Sequence, residues 1–184
     1  MPRSARSLVV VPVTRPYPET LAAVRRRGAP LTVVPLTGTD AYYHLLLHLW
    51  QRGGDVTIVE QDMAPTVAQL DELDDCPEPW CGYAYNMTSG YQASLGCTRF
   101  RAGLMAAEPD LMRVIATYEH PYVPAKHFIW LSDRIAWELE SRGYTQHVHW
   151  PPVAHLNPKH VIPVEQDRGW CDWPACRTPH AYRG

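Results

Sequence analysis

Residues 55–62 read DVTIVEQD, in which four β-branched residues lie between Asp55 and the polar triplet Glu60-Gln61-Asp62. A short β-branched run of this kind is typical of a strand buried in a parallel sheet. In an extended chain the residues i and i+2 point to the same side. We therefore expect Glu60 and Asp62 to converge just beyond the carboxyl end of this strand.

Two similar strands precede this one, and helices separate them. Residues 7–13 (SLVVVPV) and 31–36 (LTVVPL) are the predicted strands. Residues 18–28 begin with Pro and Glu and end in a basic turn and a glycine, and residues 41–52 are followed by two glycines. These are start and stop signals of helices. The alternating order predicts an α/β fold with a mostly parallel sheet flanked by helices.

The second half of the chain has weaker signals. Its predicted strands are residues 80–85, 92–100 and 147–150, and its predicted helices are residues 67–73, 102–107 and 128–142. We expect the last strand to end before Pro151 and Pro152. The prediction is a single domain over residues 1–156, followed by a tail over residues 157–184 that contains Pro, Trp and Cys.

Composition excludes several classes of protein. The 184 residues include 17 Lys and Arg and 19 Asp and Glu, whereas a nonspecific nucleic-acid binder usually has a basic excess. The sequence contains neither a membrane-length apolar run nor a signal peptide, so we expect a cytoplasmic protein without a membrane partner. The five cysteines are an odd number, which argues against a disulfide framework, and Cys76 and Cys97 are expected to be buried as small hydrophobic residues.

The acid pair has two interpretations. Two adjacent like charges are unfavourable unless a cation neutralises them, and Mg²⁺ or Mn²⁺ prefers carboxylate, water and phosphate oxygens. Alternatively, both acids face solvent at the start of a loop. Ligands of open α/β sheets bind beyond the carboxyl ends of the strands. We therefore expect a ligand near the loops at residues 12–16, 37–40 and 60–64.

Residues 55–62 resemble the strand and the Asp-x-Asp-type motif of GT-A glycosyltransferases of the family 2-like kind, although the first acid here is Glu. Such enzymes have a Rossmann-like half that binds a nucleoside diphosphate sugar through a divalent metal. The resemblance implies that Asp62 is a direct metal ligand, and that Glu60 is either a second ligand or faces the ribose or a water at the metal. Asp40 either contacts the nucleoside or caps the next helix.

Three further segments are similar to the same family. Gly96, in residues 94–100, either lets the backbone approach the donor sugar or lies at a strand-to-helix corner. Asp133 lies where inverting members carry the catalytic carboxylate, and it is either the general base or a helix cap. In residues 147–155, where the family often supplies a histidine ligand, His155 is our first choice for the metal and His149 the second.

The resemblance covers residues 7–156 and implies inverting transfer of a sugar to an acceptor hydroxyl with Mn²⁺ or Mg²⁺. Donor contacts are expected from Pro12, Thr14 and Arg15, and from Arg99, because guanidinium groups match phosphate oxygens. The compact chain resembles phage-encoded glycosyltransferases. The acceptor would then be a hydroxymethylated base of phage DNA, a protein or a glycan in the cytoplasm of a bacterial host. Because the chain is shorter than most of the family, the resemblance implies that the acceptor half is either minimal or completed by a partner subunit.

Two alternatives differ in chemistry. A nucleotidyltransferase of the same fold also needs acids and a metal, but it usually carries a Gly-rich loop after the first strand, and residues 12–16 (PVTRP) contain no glycine. The other alternative is a noncatalytic binding protein stabilised by Zn²⁺. Its ligands would be Cys171, Cys176 and His180 in the tail, although this spacing matches no standard zinc finger.

Overall fold

A computed structural model describes residues 6–15, 17–87, 90–118 and 126–156, with strands and helices alternating as in an α/β protein. The strands are β1 Leu8–Val13, β2 Leu31–Pro35, β3 Val56–Val59, β4 Met63–Ala64, β5 Trp80–Met87, β6 Gly90–Gln92, β7 Cys97–Phe100 and β8 His147–His155. The helices are α1 Pro18–Arg25, α2 Ala41–Arg52, α3 Val67–Asp75, α4 Ala102–Ala107, α5 Leu111–Ile115 and α6 Phe128–Ser141. The tail, with its predicted zinc ligands, lies outside the described residues.

In the described residues the strands form one sheet in the order β2-β1-β3-β7-β5-β8-β4, and β6 pairs with β5. β1 is parallel to both β2 and β3, as predicted. β7 is antiparallel to its neighbours β3 and β5, while β8 is parallel to β5 and antiparallel to β4. The α/β class is confirmed: β1, β2, β3, β5 and β8 run in one direction, and β7 enters the centre of the sheet in the opposite direction.

β8 continues through Pro151 and Pro152, so the prediction that it ends before them is wrong. Its pairing with β5 shifts between Tyr83, which faces His149, and Tyr85, which faces Val153. The shift leaves residues 150–152 of β8 opposite a single residue of β5. Proline lacks an N–H, and such an irregularity is where a strand tolerates it. The strand therefore reaches residue 155.

Helices cover both faces of the sheet. Successive side chains of a strand point to opposite faces, and β1 follows this rule. Its Val10 packs in a core cluster with Leu46 of α2 and Leu131 of α6, whereas Val9 packs in a second cluster with Leu70 of α3. None of the helices in the described part of the chain has the length and hydropathy needed to cross a bilayer. This packing holds the carboxyl ends of β1 and β3 next to each other.

Candidate functional site

The polar triplet Glu60-Gln61-Asp62 forms a tight turn between β3 and β4. The Glu60 N–H donates to the Gly96 carbonyl at 2.8 Å, and the Met63 N–H donates to the Glu60 carbonyl at 3.0 Å. β4 then pairs with the end of β8, which places Met63 opposite His155. This pairing brings His155 next to Asp62.

Asp62 and His155 form the centre of the site. His155 Nε2 lies 3.2 Å from Asp62 Oδ2, and the exposed fractions of the two side chains are only 5% and 12%. His155 Nδ1 lies 2.8 Å from the Asn86 carbonyl oxygen. Because a carbonyl oxygen only accepts hydrogen bonds, Nδ1 carries a proton. Nε2 then either carries a second proton in an ion pair with Asp62 or presents a lone pair to a cation held beside the carboxylate.

Glu60 turns to a different partner. Its Oε1 accepts a hydrogen bond of 3.1 Å from the Tyr42 hydroxyl. Burial, followed by the negative charge of Asp62, raises the pKa of Glu60 to about 7, and the Tyr42 hydrogen bond and the His155 charge offset only part of this rise. A nearby cation would favour the ionised form of Glu60. The site thus contains a carboxyl group that is poised between its two protonation states at neutral pH.

The side chains present fit a divalent ion of the Mn²⁺ kind. Asp62 supplies an oxygen and His155 a nitrogen that are already paired, and a carbonyl orients the imidazole, as is usual for histidine ligands. Mg²⁺ prefers an all-oxygen octahedron, so the nitrogen favours Mn²⁺. Within the described residues, Glu60, Asp62 and His155 do not bring three donor atoms within 4.8 Å of one another. Asp62 and His155 are therefore the two side chains that could hold such an ion, with Glu60 beside them.

Gln61 joins the acid turn to the loop after β1. Its Oε1 accepts hydrogen bonds from the Thr14 N–H at 2.8 Å, the Arg15 N–H at 2.9 Å and the Thr14 hydroxyl at 3.2 Å. Its carbonyl accepts one from the Thr20 hydroxyl at 2.7 Å. Thr14 and Arg15 are exposed, whereas Pro12 is buried within β1. Of these three predicted donor contacts, only Thr14 and Arg15 are therefore exposed.

Asp133 and the acid pair all lie within electrostatic range of the Tyr85 hydroxyl. Burial raises the pKa of the Tyr85 hydroxyl, and the charges of Glu60, Asp133 and Asp62 raise it further. The Tyr85 ring also packs edge-on against His155, with 5.6 Å between the ring centroids. Asp133 is the sixth residue of α6, so the interpretation as a helix cap is wrong. Its position leaves the role of general base available.

Gly96 is closely packed, whereas Asp40 lies exposed at the start of α2. A Cβ on Gly96 would lie 2.7 Å from Tyr85 Cε1 and 2.9 Å from Met63 Cε. Glycine is thus needed for packing at the start of β7, and its open side is filled by protein rather than by a donor sugar. Asp40 occupies the N-cap position of α2 without a side-chain capping bond. Its Oδ2 lies 3.3 Å from His44 Nε2, and the carboxylate is exposed.

Two predicted site residues lie elsewhere. Arg99 is buried, forms an ion pair with Asp55 at the start of β3, and donates from Nη1 to the Leu73 carbonyl at 3.0 Å. Its guanidinium group is thus part of the core, and the expectation that it contacts a donor phosphate is corrected. His149 Nδ1 lies 2.9 Å from Glu72 Oε1, so His149 is not the histidine beside Asp62.

Sequence reasoning missed several contributors to the site. Tyr42 and Asn86 carry no signal in the sequence, because only the tertiary fold brings them to Glu60 and His155. Gln61 lies between the two acids, in the stretch from which the site was predicted. This position is the sequence feature that could have pointed to its role. A shallow groove of about 590 Å³ between α1 and the β4–α3 connection contains none of the predicted site residues.

The fold class is the Rossmann-like α/β class found among glycosyltransferases and nucleotidyltransferases. No family model and no curated protein matches the sequence. Among solved structures, the chain is similar to a glycosyltransferase involved in the glycosylation of the major capsid of PBCV-1, with a TM-score of 0.53 and 11% identity over 88% of this chain and 97% of that one. It is also similar to 4-diphosphocytidyl-2C-methyl-D-erythritol synthase from Anaerococcus prevotii, with a TM-score of 0.52 and 10% identity over 89% and 95%. At these identities the likeness is one of fold.

Proposed function

We propose that the chain is a metal-dependent glycosyltransferase that moves a sugar from a nucleoside diphosphate sugar to an acceptor hydroxyl. The observation that carries the proposal is the pairing of Asp62 with His155 just beyond the carboxyl end of β3, with Glu60 beside it. Open α/β sheets bind their ligands at this edge. The likeness of fold to the PBCV-1 capsid glycosyltransferase adds support.

The residues of the site divide into two groups by role. Asp62 and His155 would hold Mn²⁺, whose charge would offset that of the departing diphosphate. Exposed side chains on the neighbouring loops, those of Thr14, Arg15 and Asp40, would frame the nucleoside and its phosphates. Arg15 suits phosphate because a guanidinium group presents a fork of donors. Gln61 holds this loop in place, because it engages the backbone N–H groups of residues 14 and 15.

Asp133 is the proposed general base. As the acceptor oxygen bonds to the anomeric carbon, the hydroxyl proton passes to the Asp133 carboxylate. The bond between that carbon and the diphosphate oxygen breaks on the opposite face, so the nucleoside diphosphate leaves and the configuration inverts. The proposed acceptor is a hydroxymethylated base in DNA, a protein or a glycan.

A panel of nucleotide sugars tests this proposal. The protein is incubated with each sugar, Mn²⁺ and one of three acceptors: hydroxymethylated DNA, a protein and a glycan. We expect release of nucleoside diphosphate that requires both Mn²⁺ and the acceptor. Asp62→Asn should lower turnover at least ~100-fold, while the exposed Asp75→Asn is the matched control. Turnover that is unchanged in Asp62→Asn, or absent with every donor, contradicts the proposal.

A nucleotidyltransferase is the second candidate, because the fold is also similar to 4-diphosphocytidyl-2C-methyl-D-erythritol synthase. The loop after β1 argues against it: residues 12–16 contain no glycine, and Gln61 already occupies the N–H groups of Thr14 and Arg15. Few backbone donors are left there for a triphosphate. Release of pyrophosphate from a nucleoside triphosphate and a sugar phosphate would replace the first candidate with this one.

A further inference from the structure

A cluster of three buried side chains that could hold a metal ion lies where α3 ends against β5 and β8. Its members are Cys76, Cys81 and His149, and one donor atom from each lies within 4.8 Å of the others. Cys76 follows the last turn of α3, Cys81 is the second residue of β5, and His149 is the third residue of β8. The three residues belong to separate elements, so only the fold brings them together.

His149 is the member that points to a ligand. Its Nδ1 lies 2.9 Å from Glu72 Oε1, so the carboxylate holds the proton on that nitrogen. Its Nε2 is buried and has no hydrogen-bond partner, and the whole residue is only 8% exposed. Buried polar atoms without a partner are rare in native proteins. A carboxylate on one ring nitrogen and a metal on the other is the common arrangement for histidine ligands.

Basic side chains fix the position of Cys76. Its carbonyl oxygen accepts hydrogen bonds from Arg99 Nη1 at 3.2 Å and Arg101 Nε at 3.1 Å. Cys81 Sγ lies 3.9 Å from the Leu73 carbonyl oxygen, on the same helix end. Burial, followed by the neighbouring Cys76, raises the pKa of the Cys81 thiol, and the charges of Arg99 and Arg101 offset only part of this rise. A bound metal ion removes the proton of a coordinating thiol outright. Two thiolates and one imidazole select a soft or borderline ion such as Zn²⁺ over Mg²⁺ or Mn²⁺.

We propose that Cys76, Cys81 and His149 bind a zinc ion that ties the end of α3 to β5 and β8. Glu72 is a positioning residue that orients the imidazole. These side chains would supply three of the four ligands that zinc usually takes, and a water would be the fourth. This site uses none of the residues proposed for the transferase reaction and none of the zinc ligands expected in the tail.

Metal analysis of the full chain tests the proposal, with the tail ligands removed by Cys171→Ser and Cys176→Ser. After dialysis against zinc-free buffer we expect about one zinc per chain in this background. Adding Cys81→Ser or His149→Gln should remove the zinc. Cys97→Ser, which alters a buried cysteine outside the cluster, should leave it bound. Glu72→Gln should lower zinc affinity roughly tenfold or more.

Alkylation of the folded protein provides a second measurement that does not depend on the stability of variants. We expect Cys76 and Cys81 to become reactive when a chelator removes zinc, while the reactivity of Cys97 stays unchanged. Co²⁺ should produce a thiolate charge-transfer band in the same protein. Zinc that is lost only with Cys171 and Cys176, or a protein that contains no zinc, overturns the proposal. A disulfide between Cys76 and Cys81 in the purified protein overturns it as well.

Discussion

His155 Nε2 lies 3.2 Å from Asp62 Oδ2, although 93 positions separate the two residues in the chain. The contact exists because β8 continues past its prolines and pairs with β4 immediately after the acid turn. A partly buried carboxylate beside an imidazole whose other nitrogen is already bonded is an arrangement that a divalent cation completes. The proposed metal site therefore depends on a strand pairing and not on the acid motif alone.

Glu60 should make stability depend on pH. Burial and the Asp62 charge raise the pKa of Glu60 to about 7 in the folded protein, whereas an unfolded glutamate ionises near ~4.3. Ionisation of Glu60 therefore opposes folding: the destabilisation begins above pH ~4.3, grows up to pH ~7 and is complete above it. Glu60→Gln should match the wild type near pH ~4 and exceed its free energy of unfolding by roughly 1–3 kcal/mol near pH ~8.

Urea denaturation in the presence of a chelator measures this difference for Glu60→Gln. Glu140→Gln, at an exposed position of α6, is the control for removal of a surface charge. The contrary outcome is that Glu60→Gln and the wild type differ in free energy of unfolding by the same amount at both pH values. That result would show that the Glu60 charge is not buried in the folded state.

Gln61 should act mainly through its side-chain oxygen. Gln61→Ala removes the acceptor of three hydrogen bonds from Thr14 and Arg15, and we expect a loss of roughly 1–3 kcal/mol in the free energy of unfolding. Gln61→Glu retains an oxygen at the same place and should keep most of that stability. Thermal and urea denaturation compare the variants, and equal stability of Ala and Glu at this position would contradict the assignment.

Gly96 should tolerate no side chain. A Cβ at this position meets Tyr85 and Met63 at 2.7 Å and 2.9 Å, so Gly96→Ala should lower the free energy of unfolding by about 1–3 kcal/mol. Gly103 lies in α4, where a Cβ would have no neighbouring atom within 4 Å. Gly103→Ala should therefore be neutral or stabilising by up to ~1 kcal/mol. Denaturation curves should show a loss of stability for Gly96→Ala and none for Gly103→Ala, and an unchanged stability of Gly96→Ala would contradict the packing around Gly96.

Local patterns predicted the N-terminal half of the fold well. α2 begins at Ala41 and ends at Arg52 as expected, since Gly53 adopts a φ of 67° that ends the helix. Strand direction could not be predicted for β7, because an apolar run has the same pattern in either direction. Residues 92–100 were expected to form one strand, and the structure divides them into the end of β6 and β7, with a turn at residues 94–96.

The candidate site was predictable only in part. The placement of Glu60 and Asp62 follows from the rule that parallel strands present their carboxyl ends at one edge of the sheet. Arg99 was assigned to the donor because guanidinium groups match phosphate oxygens. In the structure, the Asp55 carboxylate and backbone carbonyls satisfy its guanidinium group instead. Tyr42 and Asn86 depend on helix and strand packing that no local pattern encodes.

Calorimetric titration with a nucleoside diphosphate in Mn²⁺ tests the central claim most directly. Wild-type protein should bind the nucleotide in Mn²⁺ and lose at least ~10-fold in affinity when a chelator replaces the metal. Asp62→Asn and His155→Gln should show the weak binding whether or not Mn²⁺ is present, while Asp75→Asn should behave as the wild type. Nucleotide binding that ignores Mn²⁺, or that survives unchanged in both Asp62→Asn and His155→Gln, would contradict the metal site on which the proposed function rests.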